Sequence, residues 1–151
     1  MLMTRWIYYF WKMNTAIKTI TKYFIKTPRT LFLVDALGAA TTAFSLFVIL
    51  RNYYTCFGMP EYILTYLSLI AISFCMYSTA CSFLLNDNWT PFLRAISIAN
   101  LIYCILTMIL LCVYFQELTT LGLAYFITEI LIILALVYVE WSVASAVRKL
   151  N

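Results

Sequence analysis

The stretch that decides the fold is Leu121 to Ala146, LGLAYFITEILIILALVYVEWSVASA, an apolar run interrupted by two carboxylates, Glu129 and Glu140. A hydrocarbon core of about 30 Å needs about 20 helical residues, and this run supplies them without a proline. Residues eleven apart in an α-helix differ by about three full turns, so Glu129 and Glu140 share one face, with Tyr125, Ile132 and Leu136 beside them. That face must look inward, because an acid directed into lipid has nothing to pair with. Counting 1.5 Å per residue from Leu121 puts Glu129 about 12 Å deep, near the midplane, and Glu140 about 28 Å along, at the opposite rim.

The rest of the chain has the same character. Its 151 residues are 65% hydrophobic and 11% charged, with a mean hydropathy of +0.93. Water cannot be the solvent for such a surface. Four spans are expected, over about 31–50, 62–85, 92–115 and 121–146, forming an all-α four-helix transmembrane bundle within 30–151. The first span carries Asp35 about one turn inside its boundary and then Gly38, Ala39 and Thr42, small residues that allow close helix approach, so this face is expected to be a helix interface. The loop NYYTCFGMPE closes the first pair of spans, with Gly58 and Pro60 as turn residues. The second span carries Ser68 and Ser73, and the third Ser97, Asn100, Cys104 and Thr107 on one face. The brevity of the link Gln116 to Thr120 makes the third and fourth spans antiparallel neighbours.

Residues 1–29 hold six of the ten basic residues and no acid. Trp6, Phe10, Met13, Ile17, Ile20 and Phe24 fall on one helical stripe, which predicts a basic amphipathic helix lying in the interface against anionic lipid headgroups, ended at Thr27-Pro28. Nucleic acid is not an expected partner. Of the ten cations, nine fall on the side of the N-terminus and only Arg51 on the other, so both termini are expected in the cytoplasm, in a bacterial inner membrane.

The chemistry available is narrow. The chain has no histidine and its five cysteines form no C-x-x-C pair, so neither a catalytic residue, a metal site nor a cofactor is expected, and the protein is read as not an enzyme. At the rim, Asp35, Arg94, Asn100 and Glu140 share a layer that an ion pair or a hydrogen-bond network would satisfy. At the level of Glu129 the other spans offer only neutral groups, chiefly Thr42, Ser68 and Thr107. A lone carboxylate there is expected to hold a proton. The first functional reading is a packing or interaction protein, with a second copy or another membrane protein as partner; the second is a small proton-coupled carrier using the midplane acid.

In LFLVDALGAATTAF (31–44), CFGMP (56–60), FLRAISIANLIYC (92–104) and LAYFITEI (123–130), the chain resembles small uncharacterised four-span bacterial integral membrane proteins. The likeness runs from Thr27 to Ala146. It implies the fold and carries no activity.

Overall fold

The computed structural model describes residues 19, 21–85 and 89–148, all in helices or short connections. The interfacial helix expected over residues 1–29 lies mostly outside them. Residues 21–26 are helical, the backbone breaks at Thr27, and Pro28 opens the first long helix, α1 (Pro28–Phe44). A proline in the first turn forfeits no hydrogen bond, since that amide has no intrahelical acceptor. The helix continues as a wider π-helical segment, Ser45–Leu50, closed by the Arg51 amide on the Leu46 carbonyl. No proline or glycine in SLFVIL accounts for the widening.

Three more long helices follow: α2 (Glu61–Leu84), α3 (Thr90–Val113) and α4 (Thr120–Arg148). Each of the four is long and apolar enough to cross a bilayer. Their outward faces, with Leu37, Tyr66, Met76, Ile102 and Leu131 all exposed, are apolar without interruption by charge. The protein is a four-span integral membrane protein whose bundle contacts lipid. We call the end bearing Pro28, Leu84 and Thr90 basal, and the end bearing Leu50, Glu61 and Val113 distal.

The bundle is two hairpins. α1 packs along α2, and α3 along α4, whereas α1 and α4, like α2 and α3, touch only sparsely. One apolar cluster near the distal end joins Leu46, Leu64 and Leu67 of the first hairpin to Tyr103, Leu111 and Phe126 of the second. A smaller basal cluster brings Leu31 and Phe32 together with Leu93, Ile96 and Val143. Between them the seam is left to polar groups and open space.

The distal end is tied down by backbone as well as by side chains. A single helical turn, Tyr54–Phe57, ends at Gly58, whose φ of 76° is left-handed. The Thr119 amide donates to the Phe57 carbonyl at 3.2 Å and the Thr119 hydroxyl to the Cys56 carbonyl at 2.7 Å. The hydroxyls of Tyr62 and Tyr114 meet at 2.6 Å, and Arg51 pairs with Glu61 at 2.9 Å. That ion pair is half exposed and contributes less than about 1 kcal/mol.

Two glycines permit this closure. A Cβ on Gly58 would strike the Glu117 carbonyl oxygen, and one on Gly122 the Phe57 carbonyl oxygen. Both obstacles are backbone, which cannot turn aside as a side chain does. Gly58→Ala and Gly122→Ala are therefore each expected to lower the unfolding free energy by about 1–3 kcal/mol. Thermal unfolding in detergent checks this, and a Gly122→Ala protein melting with the parent would contradict the close approach.

Candidate functional site

The acids lie inside the bundle. Asp35, Glu129 and Glu140 are 2%, 6% and 0% exposed, so none faces acyl chains. They fall into two layers, as their positions along the helices require.

The basal layer draws on all four long helices. Asp35 of α1 accepts hydrogen bonds from the Ser78 hydroxyl of α2 and, at 2.7 Å, from the Asn100 side-chain amide of α3. Glu140 of α4 sits against the Ser97 hydroxyl of α3 at 2.9 Å and lies within hydrogen-bonding reach of the Asp35 carboxyl. Small hydroxyl residues at Ser78 and Ser97 leave room for the two acids to enter the seam. Asp35, Asn100 and Glu140 are thus brought together, and Arg94 is not. No ion pair links it to either acid; its guanidinium carbon stands 5.9 Å from the ring centroid of Trp141, and its buried Nε has no acceptor. Arg94 lies about one turn closer to the start of α3 than Ser97, so its guanidinium sits beside Trp141 and not in the layer of the acids.

The second layer is built on Glu129. One carboxyl oxygen takes a hydrogen bond from the Tyr103 hydroxyl of α3, at a long 3.3 Å. The other is buried and has no partner. Of the three neutral residues expected around it, only Thr42 is close, on the α1 wall. Thr107 donates to its own helix at the Tyr103 carbonyl, and Ser68 to the Thr65 carbonyl. Hydroxyls one turn from a free carbonyl commonly make that local bond, which is why depth alone does not assign them to the glutamate. Tyr103 is the partner that sequence reasoning missed. Its place one turn from both Asn100 and Thr107, on the polar face of α3, is the signal that points to it.

Glu129 lines a cavity of about 670 Å³ that runs along the seam between the hairpins. Gly38, Ala39 and Thr42 of α1, with Ser45 just beyond it, form one wall, and Tyr125, Thr128, Glu129 and Ile133 of α4 the other. Tyr103 with Phe74, and Tyr125 with Phe57, are paired edge to face at 6.1 and 6.2 Å, giving it two aromatic sides. Asp35 and Asn100 line its basal end, and among the described residues no lysine or arginine lines it. Exposed residues such as Gly38, Thr41 and Thr128 are on its rim, so it opens sideways between α1 and α4. This corrects the reading of the α1 small-residue face as a helix interface. A Cβ on Gly38 would meet nothing within 4 Å, so the small side chains hold space open here and bring no helix close.

Fold and site together define an all-α, four-span membrane protein with an acid-lined cavity between two helix hairpins. Compared with protein families, curated proteins and solved structures, the chain matches none.

Proposed function

We propose that the protein is a small, non-enzymatic, proton-coupled carrier in which Glu129 exchanges a proton for a solute held in the seam cavity. One observation carries this reading: a carboxyl at mid-depth lines a solute-sized space with one oxygen unpartnered. Buried polar atoms ordinarily find a partner, and exceptions mark places where a ligand or proton belongs. The cavity volume falls in the range of small-molecule sites, and its walls are mostly apolar and aromatic with a few convergent polar groups. Sparse contact between the hairpins leaves them free to rock about that site, as alternating access demands. The nine-to-one distribution of cations supports an orientation with both termini cytoplasmic in a bacterial inner membrane, and the basic stripe of residues 1–29 supports contact with anionic headgroups.

The test is flux. Proteoliposomes holding the full chain under an imposed pH gradient are challenged with aromatic cations, neutral compounds and anions. At least one is expected to move with counter-movement of protons, and Glu129→Gln should abolish that movement while the variant folds and inserts as the parent does. A parent that moves none of them would leave the packing or interaction reading in possession.

A further inference from the structure

We propose that Asp35 and Glu140 form a second proton-binding site, one shared proton that latches the two hairpins together at their basal end and whose release opens the cavity to that side. The inference rests on the carrier reading for its purpose, but its geometry stands apart from Glu129.

The donor inventory favours such a proton. Ser78 and Asn100 occupy the two oxygens of Asp35 with one bond each. The Ser97 hydroxyl has a single hydrogen and two claimants, the Leu93 carbonyl and the Glu140 carboxyl, each at 2.9 Å. A serine in a helix ordinarily gives its hydrogen to the carbonyl one turn back, so the Ser97 hydroxyl serves Glu140 only in competition with that carbonyl. Its other oxygen is buried without a partner. A fully buried glutamate with one contested donor and one unpartnered oxygen, beside a second buried carboxyl, is most stable when a hydrogen is shared between the two acids. One proton between the acids supplies it.

Among the described residues no ion pair is formed with either acid. Among those same residues the groups hydrogen-bonded to the pair are Ser78 from α2 and Ser97 and Asn100 from α3, all neutral. Arg94, the nearest cation in sequence on α3, is turned to Trp141. The pair also bridges the two hairpins, since Asp35 belongs to the first and Glu140 to the second, and away from the two apolar clusters these hairpins touch sparsely. When the proton passes to water at the basal face, two carboxylates are left facing one another in a medium of low dielectric, and their repulsion acts directly across the seam. Because Asp35 also lines the cavity, parting the helices there, and with them the basal cluster of Leu31, Phe32, Leu93, Ile96 and Val143, joins the cavity to the basal face. Protonation restores the bridge and closes it. The distal bonds at Thr119 and Tyr114 are untouched by this exchange, so the seam opens from one end.

The experiment is a distance measurement. Spin labels are placed at Leu37→Cys on α1 and Tyr138→Cys on α4, exposed positions outside the cavity wall, in the full chain with its native cysteines replaced, and the protein is held in lipid nanodiscs. From mildly acidic to alkaline buffer, a second and longer population of separations is expected to emerge. Glu140→Gln should hold the short separation throughout, because its amide donates to Asp35 at every pH, and Asp35→Asn should do the same from the other side. A separation independent of pH in the parent overturns the proposal, as does an alkaline shift that persists in both amide variants. Failure of the two readings looks different: a pH-dependent separation without any Glu129-dependent flux rejects the carrier and keeps the latch, and the reverse result rejects the latch alone.

Discussion

Thr42→Phe is expected to abolish solute flux and binding while leaving the bundle as stable as the parent. A helical side chain leans toward the N-terminus and covers the turn before its own Cα, so a ring at position 42 lies over Gly38 and Ala39. The space above Gly38 is empty, and both residues line the cavity, so the ring fills the solute's place without displacing packed atoms. Overpacking usually costs about 1–3 kcal/mol because neighbours must move, and here there are none to move. Thr42→Val is the necessary companion. It removes the one hydroxyl of α1 near Glu129 while keeping the volume, and is expected to weaken binding by less than about tenfold, the worth of one hydrogen bond. Equilibrium binding of whichever solute the flux assay identifies, measured beside a thermal melt, separates the outcomes. Unimpaired binding in a well-folded Thr42→Phe protein would place the solute elsewhere.

How far the amino-acid order foretold this arrangement differs between its scales. The four spans were legible, because a run such as 121–146 has only one solvent it can face, and their ends follow from Pro28, Pro60 and Pro91. So was the separation of Glu129 from Glu140 by depth, which follows from helical rise alone. What periodicity conceals is which faces meet. A small-residue face such as that of Gly38 and Ala39 suits both a tight helix contact and a cavity wall, and only the partner helix decides between them. Here α1 packs along α2 and buries Ala36 and Ala43, while Gly38 stays exposed on the seam. Similarly, a count of polar residues at one depth could not say that Thr107 and Ser68 satisfy themselves locally, or that Arg94 turns to an indole although two acids lie one turn below. Those choices depend on side-chain reach and on the competition between a local carbonyl and a distant carboxyl.

The same competition sets the stability of the basal layer. Asn100→Leu removes the amide that donates to Asp35 and leaves a buried acid with the Ser78 hydroxyl and its bridge to Glu140. The expected loss is about 1–3 kcal/mol, dominated by the abandoned group, since an interhelical hydrogen bond within a membrane contributes only about 0.6 kcal/mol on average. Asp35→Leu strands two donors and the Glu140 carboxyl at once. Ser78 recovers by turning back to a carbonyl of its own helix, whereas Asn100 has no such recourse, so the cost falls again in the range of about 1–3 kcal/mol. In the double variant neither side is stranded by the other. Asp35→Leu with Asn100→Leu is therefore expected to cost no more than the larger single change, a coupling of about 1 kcal/mol or more that appears only when two residues are direct partners. Unfolding by sodium dodecyl sulfate in mixed micelles measures all three. Strict additivity of the two single losses would mean that Asp35 and Asn100 are satisfied separately, and would break the network at the bond between α1 and α3.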